Sequence, residues 1–454
     1  MPRCCWLALL IFAIPSFDAD AIDRLEIRVN RLQGVLDLAI SYCGGQGESV
    51  ALQKLLESAG YRSGDPPGVM LRFCTVDIGQ NAVGYPGRPL AYNTGWSSPW
   101  QRVLNASVAS SDMAEFQDRI AGAFTFPEQQ AIVDGLRYME PIYERLVETA
   151  IGSRGKEMAA SVSAHMDRKN VPGLMRSISN LYATPWPDDM PLWIGLSPIP
   201  PGSGGFSATA NGNVVRSFMP VDFDRPDVYA SVIAHEFCHV LYSNMPLDRI
   251  EAIQHAFSAS ASPNRRLAEI WMNEALATAA GNGWVYRELT GSEDKEAWYD
   301  DPVIDPYAKA IAPVVYRALD SGKALDASMA AQFIVEFDRI HPDALRNPAV
   351  LLPHATIVSN TDATSLASMR STFGQQIGIR RLDALAPDVA GNAELAPAVI
   401  HVDISETDGV EMKWRRNLRA DGRIDFSIRL RSPAAFGGAL AALITRIRDN
   451  EWPE

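Results

Sequence analysis

The chain has 454 residues, of which 47% are hydrophobic and 21% are charged, and its formal net charge is −13. This composition is typical of a globular protein and excludes a disordered or membrane-embedded chain, and the length is sufficient for two or three domains. The acidic balance argues against a nucleic-acid partner, because phosphate binding needs a basic face.

Residues 1–21 have the pattern of a secretory signal peptide. Arg3 precedes an apolar run over residues 4–14, and Ala19-Asp20-Ala21 fits an A-x-A cleavage site. The run is short for a membrane span, so a retained anchor is the weaker alternative. We therefore expect a secreted or periplasmic protein that keeps no stable membrane span after signal removal.

Residues 22–189 are predicted to form a mainly helical N-terminal region. Apolar residues recur at three- and four-residue intervals in the stretch 21–43, in SVALQKLLESAG and from Glu128 to Tyr182, which predicts helices there. The stretch 79–101 is rich in glycine, proline, serine and aromatic residues, which predicts a long loop.

Three cysteines follow the predicted signal peptide. Cys43 and Cys74 flank a single connection, and in an oxidising compartment they can form a disulfide. Such a bond would stabilise the fold by about 3 to 4 kcal/mol in the chain-entropy model. The alternative is a pair of reduced core cysteines. Cys238 is predicted to be a small buried residue.

Residues 190–324 are predicted to form a catalytic core that begins with strands. The segments PLWIGLSPIP and GFSATANGNVVRSFMPV have strand-like composition. Pro200-Pro201-Gly202 and Asn211-Gly212-Asn213 are turn signals between and within them. Strands are therefore expected directly before the helix that follows.

That helix carries an H-E-x-x-H motif, formed by His235, Glu236 and His239 within the apolar run Val232–Tyr242. Helical residues four apart lie on one face, so the two imidazoles can bind a single ion. A zinc ion held by two neutral imidazoles needs a third protein ligand and a water, and a neighbouring carboxylate can take a proton from that water. The motif therefore predicts two metal ligands and a general base.

The predicted bounds of this helix are Asp224 as N-cap, Pro226 in the first turn and Asn244 at the end. Its remaining residues are apolar on most sides. A buried unpaired carboxylate costs several kcal/mol, so a buried helix has little reason to carry these three polar residues on one face. The alternative is two core histidines with a salt-bridged glutamate.

A third ligand is expected in RRLAEIWMNEALATAAGNG, which predicts a second helix. Ser262-Pro263 marks its start, and Gly281 is placed just past its end. Glu274 lies in the apolar middle of this helix, where a metal ion is the simplest positive partner. The alternatives are an ion pair with Arg265, Arg266 or Arg287, and Glu269 as a rival ligand nearer the charged start.

HEFCH followed by W-x-N-E-A-x-A, here from Trp271 to Ala277, resembles the gluzincin metallopeptidases, notably the aminopeptidase N-like branch. The resemblance implies one zinc ion on His235, His239 and Glu274, with Glu236 as general base and acid. It also implies a small sheet before the helix, whose edge can pair with an extended peptide.

The resemblance covers about fifty residues, and the chain departs from the branch in two ways. The gap between His239 and Glu274 is longer than usual, which predicts an inserted helix in LDRIEAIQHAFSAS. A G-x-M-E-N-type segment is missing upstream of the helix, so the resemblance carries the hydrolytic residues but not aminopeptidase specificity.

Attack on a peptide carbonyl develops an oxyanion that a tyrosine hydroxyl or a histidine can stabilise. In the related enzymes this residue lies downstream of the third ligand. We predict Tyr307 for this role, with Tyr316 and His354 as further candidates.

Residues 325–454 alternate helix-like and strand-like runs and are predicted to form a C-terminal α/β accessory region. The predicted fold class is α+β and predominantly α-helical, with a small sheet next to the H-E-x-x-H helix. The predicted function is a secreted zinc metallopeptidase that cleaves peptide or protein substrates with a Glu-activated, zinc-bound water. The alternatives are an exported zinc-binding envelope or scaffold protein without turnover, and a zinc hydrolase acting on other carbonyls.

Overall fold

A computed structural model describes residues 25–44, 49–61, 66–76, 99–187, 190–377, 383–385, 397–405, 415–419 and 422–452. The predicted signal peptide and almost all of the predicted loop 79–101 lie outside the described residues. The described part is α+β and predominantly helical, with two small sheets, which confirms the predicted fold class. None of its helices combines the length and the apolar character needed to cross a bilayer.

The N-terminal region is mainly helical, as predicted. Its helices are α1 (Arg31–Cys43), α2 (Val50–Ser58), α3 (Gly68–Cys74), α4 (Pro99–Ala109), α5 (Met113–Ile120), α6 (Phe126–Tyr143), α7 (Thr149–Arg168) and α8 (Val171–Leu181).

The predicted helix before Cys43 is wrong at its start. Leu25–Arg28 forms a strand, β1, which pairs in parallel with a strand that begins at Leu192. Helix α1 begins only after Asn30, whose side chain accepts a hydrogen bond from the Leu32 N–H. The backbone of β1 obtains its partners from a distant part of the chain, so the local apolar spacing does not decide its conformation.

Cys43 and Cys74 form a disulfide, with 5.4 Å between their Cα atoms, and this confirms the predicted pairing. The bond ties the end of α1 to the end of α3. Cys238 is free and fully buried, as predicted.

The first sheet consists of β1, β2 (Leu192–Ile199), β4 (Val214–Pro220) and β3 (Ser207–Asn211), in that spatial order. Strands β1, β2 and β4 are parallel, and β3 is antiparallel to β4. The turn between β3 and β4 has Gly212 at a φ of +58°. Strand β3 therefore forms an edge of the sheet, and the predicted strands 190–221 are confirmed.

The two faces of this sheet pack against different parts of the chain. Leu192, Ile194 and Leu196 belong to a core shared with the H-E-x-x-H helix, while Ile199 belongs to the core of the N-terminal helices. The sheet therefore lies between the N-terminal helices and the helix that carries the motif.

A helical group follows the sheet. It comprises α9 (Pro226–Ser243), α10 (Leu247–Ala259), α11 (Arg265–Ala277), a π-helical stretch (Thr278–Val285) and α12 (Tyr286–Thr290). Helix α9 carries the motif, and α10 is the predicted insertion between the ligand helices. Asp224 is not the N-cap of α9, because Arg225 occupies that position without a side-chain cap.

Gly281 does not end the second ligand helix, contrary to the prediction. The helix continues through Gly281 as the π-helical stretch and reaches Thr290. The helix turns at Gly291, which has a φ of +82°. Gly281 serves instead as a point of close helix contact, which is described below.

The remaining chain forms the predicted mixture of helices and strands. The helices are α13 (Ile304–Asp320), α14 (Ala327–Ile340), α15 (Pro348–Leu351), α16 (Ala363–Ile377) and α17 (Phe436–Asp449). The strands are β5 (Ala355–Ser359), β6 (Asp383–Leu385), β7 (Ala398–Ile404), β8 (Arg415–Leu418) and β9 (Ile424–Leu430), in the spatial order β6-β5-β7-β9-β8.

Candidate metal centre

Helix α9 carries three of the predicted site residues, His235, Glu236 and His239. The two histidines are one turn apart, and their Nε2 atoms lie 3.1 Å from each other. His235 is buried, and the side chain of His239 keeps 20% of its surface exposed. The imidazoles therefore point at one place that solvent reaches from the His239 side.

Helix α11 brings Glu274 to the same place. Its Oε2 atom lies 3.6 Å from the Nε2 atom of each imidazole. This separation is too long for a hydrogen bond, and Oε2 has no hydrogen-bond partner among the described residues. A buried carboxylate oxygen facing two imidazole nitrogens in this way fits a site for a cation.

The spacing of these three atoms agrees with tetrahedral coordination. Ligand atoms at zinc bond lengths of about 2.0 to 2.1 Å stand roughly 3.3 Å apart in a tetrahedron. The separations between the His235, His239 and Glu274 atoms, 3.1 and 3.6 Å, bracket that value. Among the described residues these three form a cluster able to hold a metal ion.

Arg287, one of the alternative ion-pair partners of Glu274, pairs with other carboxylates. Arg287 pairs with Glu288 and Asp320, on the surface after the π-helical stretch. The ion pairs of Glu274 are to His235 and His239. Glu274 therefore takes the place beside the imidazoles that the sequence assigned to it.

Residues after Glu274 hold His235 in place. The hydroxyl of Thr278 lies 3.4 Å from Nδ1 of His235, and Thr278 is fully buried. A metal-ligating histidine commonly uses its second ring nitrogen in this way, because the contact sets the tautomer and the ring orientation. With Nδ1 facing Thr278, Nε2 is the nitrogen that faces the candidate site.

Glu236 contacts the edge strand of the sheet. One of its carboxylate oxygens accepts a hydrogen bond of 3.0 Å from the backbone N–H of Ala210 in β3. The charges of the two imidazoles and of Glu274 act on the pKa of Glu236, so its carboxylate lies near the three-residue cluster. The general base predicted from the motif is thus placed between the cluster and an exposed sheet edge.

The charges in the site act on one another strongly. Burial lowers the pKa of His239, but the carboxylates of Glu274 and Glu236 outweigh it and raise this pKa to about 9. Burial raises the pKa of Glu274, yet the two imidazoles hold it well below its usual value. Burial also raises the pKa of Glu236, and the imidazoles offset only part of this effect.

The opposite pKa shifts of Glu274 and Glu236 suit the two carboxyl groups to different roles. Glu274 stays ionised because its pKa is low, and this is the state that metal binding would require. Glu236 has a raised pKa, which brings a carboxylate closer to the pH at which it can both take and give a proton.

Tyr307 is not brought into this cluster. It is fully buried, its hydroxyl lies 3.3 Å from the carbonyl oxygen of Ala268, and its ring packs on Phe337. Ala268 lies about 9 Å along α11 from Glu274 at 1.5 Å per residue. The hydroxyl of Tyr307 is thus engaged in the core, which leaves it no contact with the imidazoles.

The other two candidates also lie in packed surroundings. Arg287 stacks over the ring of Tyr316, whose hydroxyl is buried. His354 packs edge-on against Trp271. Both rings thus have packing neighbours other than the three cluster residues.

A different tyrosine, Tyr299, lies beside the cluster. Its ring centroid is 5.7 Å from that of His235, and the two rings are inclined by 30°. Tyr299 is half-buried, and the preceding Trp298 is buried and anchored by hydrogen bonds to Asp294 and Asp305. No periodic pattern singles out Tyr299 in the sequence, since it follows an acidic, irregular stretch.

Comparison with known proteins gives no match: no family model, no curated protein and no solved structure is significantly similar to the chain. The resemblance to the gluzincins therefore rests on the two motifs and stays a prediction.

Proposed function

We propose that the chain is a zinc-dependent peptidase whose centre consists of His235, His239 and Glu274, with Glu236 as its general base. One observation carries this proposal. The carboxylate of Glu236 accepts a hydrogen bond from the N–H of Ala210 on an edge strand, and it lies close enough to the three-residue cluster for the charges of that cluster to shift its pKa. A structural zinc site normally has four protein ligands and needs no base, whereas a catalytic site keeps a position open.

The donor set favours zinc among the common metals. Two imidazoles and one carboxylate are the ligands of many catalytic zinc sites, and the separations of 3.1 and 3.6 Å suit a small tetrahedral ion. Calcium and magnesium prefer sites built mainly from oxygen atoms. When bound, zinc supplies a Lewis acid for a carbonyl group and for water.

Proton transfer and oxyanion stabilisation are assigned to two different side chains. Glu236 takes a proton from the attacking water and passes it to the leaving amine, for which its raised pKa is suited. The ring of Tyr299 lies beside that of His235, and a tyrosine hydroxyl near the metal is a group that can donate to the developing oxyanion. Tyr299 therefore replaces Tyr307 as our candidate for that role.

The edge of β3 supplies the expected place for a peptide. In an antiparallel ladder alternate residues point their backbone groups away from the partner strand. The N–H of Ala210 faces Glu236 rather than β4, so the backbone of Ala208, two residues earlier, faces the same side. An extended peptide added to this edge would run past Glu236.

The test is product analysis by mass spectrometry after incubation of a defined peptide mixture with the purified, zinc-loaded chain. We expect new termini that disappear when a chelator removes the metal and return when zinc is restored. One bound zinc per chain without any cleavage of peptides or proteins would instead favour an exported zinc-binding protein without turnover.

A further inference from the structure

The π-helical stretch Thr278–Val285 begins four residues after Glu274 and interrupts an otherwise regular helix. Such wide turns are rare, occur mostly as short insertions in α-helices, and are frequent at functional sites. This stretch packs directly against α9, the helix that carries the two histidines. Its position suggests that the wide turns set the spacing between the two ligand helices.

Gly281 is the point of closest approach between these helices. A Cβ atom added to Gly281 would lie 2.6 Å from the Cα atom of His235 and 2.8 Å from its Cβ atom. Both distances are shorter than carbon atoms tolerate, and the obstructing atoms include backbone that no rotamer change can move. Only glycine permits the backbone of His235 to lie where it does.

The same stretch also contacts the ring of His235. Thr278, three residues before Gly281, places its hydroxyl 3.4 Å from Nδ1 of His235. The same segment therefore sets the position of the His235 backbone through Gly281 and the orientation of the His235 ring through Thr278. Glu274 precedes this segment in the same helix. The segment therefore fixes the distance between the carboxylate of Glu274 and the imidazole of His235.

We propose that the π-helical stretch is the positioning element of the metal centre and that Gly281 is its principal positioning residue. Gly281 contacts no metal and no substrate in this account. It acts by allowing His235 to approach Glu274 closely enough for one ion to bind both. This inference rests on the proposed metal centre.

Gly283 offers a matched control in the same stretch. A Cβ atom at Gly283 would lie 2.8 Å from the ring of Trp298 and 2.5 Å from the hydroxyl of Tyr316, so the substitution is equally crowded. The crowded atoms belong to side chains outside the cluster. G281A and G283A therefore differ in which neighbour they displace, while both disturb the same helix.

The experiment measures zinc dissociation constants of the full chain by competition with a chromophoric chelator, together with thermal unfolding. We expect zinc affinity to fall by about 10- to 100-fold in G281A, the range seen when residues that orient metal ligands are removed. We expect G283A to lose thermal stability too, but by no more than G281A, because the side-chain ends that it meets can shift. Its zinc affinity should stay within about 3-fold of the parent, because the His235–Glu274 spacing is retained.

A second pair of variants protects the test against a G281A chain that fails to fold. Thr278→Val adds no volume and removes only the hydroxyl, whereas Thr278→Ser retains it. We expect T278V to weaken zinc binding and T278S to preserve it. The visible spectrum of the cobalt-substituted protein should change in T278V, which a purely structural role of Thr278 would not produce.

Three results would overturn the inference. The first is a folded G281A chain with the zinc affinity of the parent. The second is an equal loss of zinc affinity in G281A and G283A. The third applies if G281A does not fold, and is a T278V chain with unchanged zinc affinity and cobalt spectrum. Failure of the parent chain to bind zinc would contradict the proposed metal centre itself. This result does not depend on any of the variants.

Discussion

The backbone N–H of Ala210 donates a hydrogen bond to Glu236 at 3.0 Å, so the edge of the sheet and the H-E-x-x-H helix meet at one carboxylate. The ladder pairs Ala210 with Val215 of β4, but its N–H is directed to the opposite side. The contact keeps the carboxylate beside the strand edge, where a peptide backbone is expected. It thereby links the two features that the proposed reaction needs, a base and a binding edge.

Glu236→Gln should abolish cleavage without loss of metal. Glutamine keeps the size of the side chain and can still accept from the Ala210 N–H, but it cannot take a proton from water. We expect the rate of peptide hydrolysis to fall by at least about 100-fold, the lower range for general-base catalysis. Zinc content by elemental analysis should stay at that of the parent, and full activity of the variant would remove Glu236 from the mechanism.

Glu274→Gln should weaken metal binding, and Glu269→Gln provides the control. Both glutamates lie in α11, but only Glu274 has its carboxylate within 3.6 Å of both imidazoles. We expect E274Q to reduce zinc affinity by more than about 10-fold, since even outer contacts of metal ligands contribute that much. E269Q should bind zinc like the parent. The reverse order in a chelator competition would make Glu269 the ligand.

The sequence predicts those site residues that a local pattern marks. His235 and His239 are four residues apart in a helix whose bounds are marked by local signals, and Glu274 stands out by its apolar neighbours. Gly281 follows the apolar run that ends at Ala280, where a glycine usually marks the C-terminus of a helix. Its actual role, close contact with His235, depends on a helix far away in the sequence.

Contacts with distant parts of the chain explain why β1 is not helical and why Tyr307 lies in the core. Strand β1 owes its conformation to pairing with β2, more than 160 positions later, which overrides the local helical spacing. Residue type and order in the chain favour Tyr307, and neither reveals that its hydroxyl donates to the carbonyl oxygen of Ala268. Tyr299 lies in a segment without periodicity, so only the folded chain places it near His235.

Metal binding should release a proton and strengthen as pH rises. The pKa of His239 in the metal-free chain is raised from 6.5 to about 9, so this imidazole is protonated at pH 7 and must lose its proton to bind zinc. We expect zinc affinity to rise nearly tenfold per pH unit between about pH 7 and 9. Titration calorimetry at pH 7 in buffers of different ionisation enthalpy should report close to one released proton.

The metal-free chain should show the opposite trend in stability. A histidine whose pKa is raised on folding stabilises the folded state below its unfolded pKa of 6.5, and this contribution is lost as pH rises through about 9. His239→Gln should remove both the proton release and this slope. A pH-independent zinc affinity in the parent chain would contradict the raised pKa.

Loss of the disulfide should lower stability and spare the metal centre. Cys43 and Cys74 are 31 positions apart, and a loop of this length corresponds to about 3 to 4 kcal/mol in the chain-entropy model. We expect the double Cys→Ser variant to unfold at lower urea concentration with unchanged zinc affinity, because the bond joins α1 and α3 in the core of the N-terminal helices. Cys238→Ala serves as the control for a cysteine outside the disulfide.

Tyr299→Phe and Tyr307→Phe should distinguish the tyrosine beside the cluster from the one in the core. Each variant removes one hydroxyl and retains the ring. In Y307F the loss is that of one buried hydrogen bond to Ala268, which costs about 1 kcal/mol of stability and leaves turnover near that of the parent. In Y299F the ring remains beside His235, so zinc binding should be unchanged.

The Y299F variant should differ from the parent in its turnover number, kcat. If the phenol of Tyr299 donates to the developing oxyanion, its removal should lower kcat by about 100-fold while KM changes little, because the interaction forms mainly in the transition state. A phosphonate peptide that mimics the tetrahedral geometry should bind Y299F more weakly than the parent, whereas a simple peptide product should bind both equally. Equal phosphonate affinity in Y299F and the parent, or a larger kcat loss in Y307F, would leave Tyr299 as a wall of the site rather than a catalytic residue.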